Sequence, residues 1–159
     1  MARERESGGQ PRFANARFLL CLAFCAHWAD EALTDFLGVY NPTVLAVRTH
    51  HSWFPMPTFE FREWLIGLIV VNGVFLMLTP FAFRNARWLR PLAYFFACVM
   101  LLNGMGHTLA TIFGRTVSSV QFPRPAPGFY SSPLLLAGSI YLVIRLRVSG
   151  RRRGEAVHS

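Results

Sequence analysis

Two short stretches of this sequence place metal-ligating side chains within strongly apolar surroundings. In the first stretch, His27, Asp30 and Glu31 occupy positions i, i+3 and i+4, and Asp35 follows one turn later. At about 100° per residue, these four side chains share one face of a helix. Carboxylates combined with neutral imidazoles are a usual ligand set for zinc or iron. The pattern therefore predicts a cation site on this helix.

The second stretch contains Asn103 and His107, which are one helical turn apart and share a face. Small residues accompany both stretches, with alanine at positions 23, 26, 29 and 32 and glycine at positions 104 and 106. Small side chains let the backbones of two membrane helices approach closely. At about 1.5 Å per residue, Glu31 and Asn103 lie at similar depths, roughly 20 Å from the starts of their segments. We therefore expect the two polar groups to meet between packed helices.

The composition around these residues indicates a membrane protein. Of the 159 residues, 53% are hydrophobic and only 15% are charged, whereas a soluble domain carries about 25% charged residues. The apolar residues fall in four runs that are each long enough to cross a bilayer. We predict an all-α bundle of four transmembrane helices, with spans at about 18–40, 64–83, 88–113 and 131–148. The first span should end at Asn41-Pro42, since proline disfavours helix at the preceding residue.

Arginine accounts for all 16 basic residues and predicts the orientation of the chain. Most arginines lie in the N-terminal tail, in the turn between the second and third spans, and at the C-terminal end. Because cytoplasmic loops are enriched in basic residues, we predict a multi-pass protein of the inner membrane with both termini in the cytoplasm. Residues 1–17 would be a flexible tail and residues 149–159 a basic tail. The arginines flank apolar segments and form no stripe on a polar domain, which excludes nucleic acid as a partner.

A cleaved signal peptide is the alternative interpretation of the first segment. Residues 18–26 would form its apolar region, and Ala26 or Ala29 would precede the cleavage site. Apolar residues continue beyond the acids, at Leu33 and Leu37, and they favour an uncleaved helix.

The acidic residues of the first segment lack a cationic side chain to compensate them. An ionised acid at the centre of a membrane costs roughly 2.5–3.5 kcal/mol, and no arginine lies within the same stretch of any predicted helix. We predict that protons or a bound cation compensate them, and we favour a divalent metal, zinc or iron, bound by His27, Asp30, Glu31 and His107. Asp30 would be either a fourth ligand or a residue that orients a histidine. The predicted catalytic residues are Glu31 and Asn103, with Asn103 holding a water or polarising a substrate oxygen.

These residues are compatible with three different functions. A metal that activates a water would make the protein a hydrolase of a lipid or another membrane-embedded substrate. Buried acids and histidines also form proton relays, so a proton- or cation-coupled carrier is the second hypothesis, and at this length it would need a homodimer. The third is a non-catalytic membrane assembly partner, in which the polar side chains only make hydrogen bonds between helices. The excess of acids favours the metal-dependent enzyme.

The motif at residues 27–31, His-Trp-Ala-Asp-Glu, followed by His107 and Pro127-Gly128, resembles the HXXEE-domain family of small integral membrane proteins. Asp30 stands in place of the first glutamate of that motif. Pro125 stands in place of the tyrosine of a Tyr-x-Pro-Gly motif. The resemblance implies that the histidines and acids of these motifs are functional, and it implies no particular reaction. We expect Pro127-Gly128 to shape the start of the fourth helix and not to contact a substrate.

Overall fold

The computed structural model describes residues 10–84 and 86–157, with side chains described between residues 13 and 148 outside that gap. The described chain is mostly helical, as predicted. The helices are α1 (Gln10–Leu33), α2 (Phe36–His50), α3 (Phe61–Met77), α4 (Thr79–Phe83), α5 (Leu89–Phe113) and α6 (Ser132–Val157). A short antiparallel hairpin of β1 (Arg115–Val117) and β2 (Val120–Gln121) follows α5.

Two helical stretches of the described chain are long and apolar enough to cross a membrane. They are Phe61–Phe83, which comprises α3 and α4, and Leu89–Phe113, which is α5. These correspond to the predicted second and third spans. Helices α1 and α6 are as long, at 24 and 26 residues, but they carry more charged residues and do not meet the same criteria.

The first predicted span is broken into α1 and α2. Helix α1 ends at Leu33, and Asp35 adopts the left-handed conformation with φ 56° and ψ 49°. The hydroxyl of Thr34 donates to the carbonyl of Asp30 at 2.6 Å, beside the Thr34 N–H that donates to the same carbonyl at 3.0 Å. The prediction that Asp35 continues the polar face of α1 is therefore wrong, because the helix stops before it and its side chain is exposed.

The proline at position 42 does not end a helix, contrary to the prediction. It lies within α2, which runs on to His50. The amide of Asn41, the residue before it, donates to the carbonyl of Phe59 at 2.9 Å and accepts from the Phe59 N–H at 3.0 Å. Tyr40 donates to the carbonyl of Pro57 at 2.9 Å. These tertiary hydrogen bonds hold α2 against the segment that precedes α3 and offset the backbone hydrogen bond that proline cannot make.

Helix α6 packs along both α1 and α5, and these three helices form most of the apolar core. Gly104 serves this contact, since a Cβ there would lie 3.0 Å from the Leu136 side chain on α6. Helices α1 and α5 meet each other more locally than predicted. Their contacts include the rings of Phe24 and Phe96, at 5.9 Å, and the polar cluster described below. The apolar packing therefore fixes the relative depth of the two polar stretches.

Candidate metal centre

Three buried side chains from α1 and α5 converge on one point. His27, Glu31 and His107 offer ligand atoms that all lie within 4.8 Å of one another. The Oε1 atom of Glu31 is 3.3 Å from His27 Nε2 and 3.0 Å from His107 Nε2. Around a tetrahedral ion with bonds of about 2.1 Å, neighbouring ligand atoms lie about 3.4 Å apart. The two distances from the Glu31 oxygen therefore suit a metal ion.

The backbone of the segment before α6 orients His107. The Nδ1 atom of His107 contacts the carbonyl oxygen of Pro127. Because a carbonyl only accepts hydrogen bonds, Nδ1 must carry a proton and donate it. In the neutral imidazole, Nε2 then directs a lone pair at Glu31. This is the arrangement of metal-ligating histidines, which donate their other N–H to a carbonyl or carboxylate.

A side-chain relay orients His27 in the same way. Its Nδ1 atom lies 2.8 Å from the hydroxyl oxygen of Ser131. The hydroxyl and the backbone N–H of Ser131 both lie 2.8 Å from Oδ2 of Asp30 and donate to it. Since the single hydroxyl hydrogen is directed at the carboxylate, His27 Nδ1 must be the donor to Ser131. The Nε2 atom of His27 is therefore also left with a lone pair that faces Glu31.

Asp30 was one of four predicted ligands, and the structure gives it a different position from the other three. Its carboxylate accepts both hydrogen bonds from Ser131 and does not belong to the converging group. The alternative prediction, that Asp30 orients a histidine, describes this geometry, with Ser131 as the intermediate. Ser131 itself was not among the predicted residues, because a serine before a helix normally signals only an N-cap.

Asn103 bridges the two histidines. Its Nδ2 atom is 3.1 Å from His27 Nε2, and its Oδ1 atom is 3.1 Å from His107 Nε2. The amide nitrogen has a suitable acceptor, but the amide oxygen faces a second lone pair. Rotating the amide by half a turn only moves this conflict to His27, so the assignment of its N and O atoms does not matter. An additional proton on His107 Nε2 satisfies both sides of the bridge, whereas a cation bound by both Nε2 atoms would take up their lone pairs and leave the amide free for another partner.

Gly128 covers the cluster at close range. Its φ is 77°, and a Cβ there would lie 2.8 Å from Cε1 of His107 and 2.9 Å from Cγ of Glu31. Its N–H donates to the hydroxyl of Thr34 at 3.0 Å, which ties it to the end of α1. Pro127-Gly128 thus does more than shape the start of the last helix, because its first residue orients His107 and its second leaves room for the ligands.

An open cavity of about 230 Å³ borders the cluster between α2 and α5. Asn103 and His107 lie on its wall, and the ring of Phe36 on α2 is 5.6 Å from the His107 ring. Most of the remaining wall is apolar, and within the described part of the chain its ionisable groups are His107 and the phenol of Tyr40. A substrate in this cavity would meet the imidazole and the amide at one end.

Other polar residues lie outside the cluster. His50 and His51 are exposed at the end of α2. Asn72, which has no partner on its own helix, is buried and donates to the thiol sulfur of Cys25 at 2.9 Å. His158 lies outside the described residues.

Two imidazole nitrogens and one carboxylate oxygen form the ligand set of many catalytic zinc sites and of non-haem iron sites, both of which keep coordination positions open for substrate. Comparisons of the chain with protein-family models, with curated proteins and with solved structures find no match. The chemistry available to the protein is accordingly inferred from the side chains of this cluster.

Proposed function

We propose that this protein is a metal-dependent membrane enzyme that hydrolyses a lipid or another membrane-embedded substrate. His27, Glu31 and His107 would bind a divalent cation, zinc or iron. One observation carries the proposal. Two imidazole lone pairs and a carboxylate oxygen converge within 4.8 Å, while both Nδ1 atoms are already committed as donors elsewhere. The resemblance to the HXXEE-domain motif points to the same residues.

A metal ion would engage all three converging atoms at once, which a single proton does not. A proton on Nε2 of His107 would form a hydrogen bond to Glu31, at 3.0 Å. It would leave no hydrogen between His27 Nε2 and the Glu31 carboxylate, which lie 3.3 Å apart, although Asn103 Nδ2 can donate to that nitrogen. A cation at the centre accepts electron density from all three atoms at once. It also offsets the negative charge of a carboxylate that is 4% exposed and for which the described residues supply no arginine partner.

The surrounding residues support a hydrolytic reaction. A divalent cation at this point would act as a Lewis acid on a substrate oxygen and lower the pKa of a water molecule. In such a hydrolysis, the water oxygen would bond to the substrate carbonyl carbon, the bond to the leaving group would break, and the leaving atom would take up the proton that the water releases. Asn103 lies beside the ligands on the cavity wall, where its amide can donate a hydrogen bond to the carbonyl oxygen. Asp30 and Ser131 hold His27 in place.

We further propose that α1 and α6 cross the membrane together with the two helices that meet the span criteria, with both termini in the cytoplasm. Large apolar side chains are exposed on α1 and α6 as they are on α3 and α5. Contiguous apolar surface of this kind marks a lipid or protein interface. The arginine distribution supports the orientation. The exposed apolar residues of α1 and α6 include Leu19, Leu22, Leu134, Ile140 and Ile144.

The metal content of the purified protein tests the proposed function. Wild type should contain about one zinc or iron ion per chain, as a single three-ligand site requires. His107→Ala should lose it, because only two ligands remain. His50→Ala is the matched control, since it removes an exposed histidine from α2. Wild type without metal, or His107→Ala with an unchanged content, would contradict the proposal.

A proton- or cation-coupled carrier is supported by the same buried relay, but it needs a polar path across the membrane. Between the cluster and the Gln10 end of α1, the described core holds apolar side chains such as Leu20, Phe24 and Phe96. Its buried polar side chains Arg17 and Asn72 are bonded to the Phe75 carbonyl and the Cys25 thiol. This packing favours the enzyme. Ion flux into liposomes that disappears in Glu31→Gln would favour the carrier instead.

A further inference from the structure

We propose that the cavity between α2 and α5 binds one hydrocarbon chain of an uncharged lipid, with the ester or amide group of that lipid at Asn103 and His107. The assignment of the bond that is broken rests on the proposed function. The binding of the hydrocarbon chain does not rest on it, because that inference follows from the lining, size and position of the cavity.

The lining excludes a charged group from most of the cavity. Helix α2 contributes Phe36 and Val39, and α5 contributes Leu102, Gly106 and Ala110. Among the residues that the structure describes, no arginine, aspartate or glutamate lines the wall. Away from the His107 end, a phosphate or carboxylate in the cavity would lose hydration without gaining an ionic partner, which is strongly unfavourable. The part of the ligand that enters is therefore uncharged.

The polar atoms of the wall leave only one end for a polar group of the ligand. The Tyr40 hydroxyl already donates to the Pro57 carbonyl at 2.9 Å. The hydroxyls of Thr43 and Thr116 pair with each other at 2.5 Å. The side chains of Asn103 and His107, by contrast, present the polar atoms of the cluster described above. A carbonyl group is therefore directed to that end, and the rest of the cavity suits methylene groups.

The size and the mouth of the cavity indicate a single chain that enters from the bilayer. Its volume of about 230 Å³ is below the roughly 300–1,000 Å³ of pockets that enclose a whole drug-sized ligand. A sterol or a two-chain lipid would not fit inside. Leu102, on the wall, is 67% exposed, and its neighbours Met105 and Leu109 are also exposed. The remainder of the lipid can therefore lie against this apolar surface, outside the cavity.

The glycine at position 106 provides a variant that fills the cavity without disturbing the helix. It lines the wall, and a Cβ added there meets no atom within 4 Å. Gly106→Leu would place its side chain in the space proposed for the lipid chain. Gly67→Leu on α3 is the matched control, because Gly67 is also exposed and helical, also has open space around its Cβ, and does not line the cavity.

The experiment is photo-crosslinking of the full-length protein in detergent with a photoreactive dodecanol, followed by peptide mapping. We expect saturable labelling of α2 and α5. Gly106→Leu should raise the probe concentration that gives half-maximal labelling about tenfold or more, since overpacking by a leucine opposes binding. Gly67→Leu should label as wild type does. A photoreactive dodecyl phosphate should label the same peptides much more weakly.

The outcomes separate this inference from the proposed function. Labelling that Gly106→Leu does not change, or that is equally strong for the alcohol and the phosphate, overturns the inference even if the protein contains metal. Labelling that Gly106→Leu abolishes in a protein without metal supports the inference and contradicts the proposed function.

Discussion

The two ends of α1 each bury a charged side chain, and their surroundings differ. Arg17, near the start, donates to the carbonyl of Phe75 at 2.8 Å and lies 5.8 Å above the Phe75 ring. Its Nε and Nη1 atoms have no hydrogen-bond partner among the described residues. Glu31, near the end, is approached by two histidines that other groups hold in place.

Under the proposed function, this difference separates a structural charge, Arg17, from a functional one, Glu31. The Arg17 guanidinium caps the last turn of α3 and packs on an aromatic ring, which fixes α1 against α3. Nothing orients a further partner toward it. Around Glu31, by contrast, Asp30, Ser131 and the Pro127 carbonyl serve to orient groups that in turn face the carboxylate. Preorganisation of this kind is the feature of a binding site.

The largest effects should come from removing each of the two buried charges in turn. Glu31→Gln should abolish metal binding and leave the fold intact, because it keeps the shape of the side chain and removes the ligand charge. Arg17→Ala should retain the metal and lower the free energy of unfolding by about 2 kcal/mol or more, because it empties a buried volume. Both variants are checked by their metal content and by the midpoint of thermal unfolding, measured in the same detergent as wild type. Loss of metal from folded Arg17→Ala would remove the distinction.

Gly128→Ala should have the next largest effect. The left-handed backbone costs a non-glycine residue about 1–2 kcal/mol, and the new methyl group would push His107 and Glu31 apart. We expect the metal affinity, measured by competition with a chelator, to fall at least about tenfold, equivalent to about 1.4 kcal/mol.

Gly114→Ala is the control for this change. Gly114 also has a positive φ, of 66°, but the atoms nearest to its added Cβ belong to the Arg124 side chain. It should show a similar loss of stability with unchanged metal affinity. Equal losses of metal affinity in the two variants would mean that Gly128 acts only through the fold.

Asp30→Asn and Ser131→Ala should have intermediate effects. Each weakens the relay that holds the His27 ring, and partners of this kind typically contribute about 10–100-fold to metal affinity. The same chelator competition measures the change. Ser139→Ala, which removes another buried hydroxyl from α6, should bind the metal as wild type does. If Asp30→Asn also matched wild type, the relay would have no role.

Asp35→Gly should have the smallest effect, and of the opposite sign. Glycine relieves the left-handed strain of about 1–2 kcal/mol but adds about 0.4–1 kcal/mol of entropy to the unfolded chain. We expect a net gain in unfolding free energy of roughly 0.5 kcal/mol and no change in metal content. A loss of metal would show that this exposed acid belongs to the site, contrary to the comparison with Glu31.

The sequence predicts the converging group better than it predicts what holds the group together. His27 and Glu31 are recognisable because a helical turn places them on one face, and His107 because it is a polar residue within an apolar span. The Pro127 carbonyl has no side-chain signature, and Ser131 resembles an ordinary N-cap. The left-handed Asp35 breaks a segment whose apolar pattern continues, and the tertiary contacts of Asn41 keep the helix intact through Pro42. These features depend on contacts that are distant in sequence.

X-ray absorption spectroscopy of the metal in the purified protein tests the central claim most directly. We predict a first coordination shell of nitrogen and oxygen at about 2.0–2.2 Å, with the outer scattering of two imidazole rings reduced to one in His107→Ala. A sulfur shell at about 2.3 Å would assign the metal to cysteines such as Cys21 and Cys25. Such a shell, or the absence of imidazole scattering, would contradict a site formed by His27, Glu31 and His107.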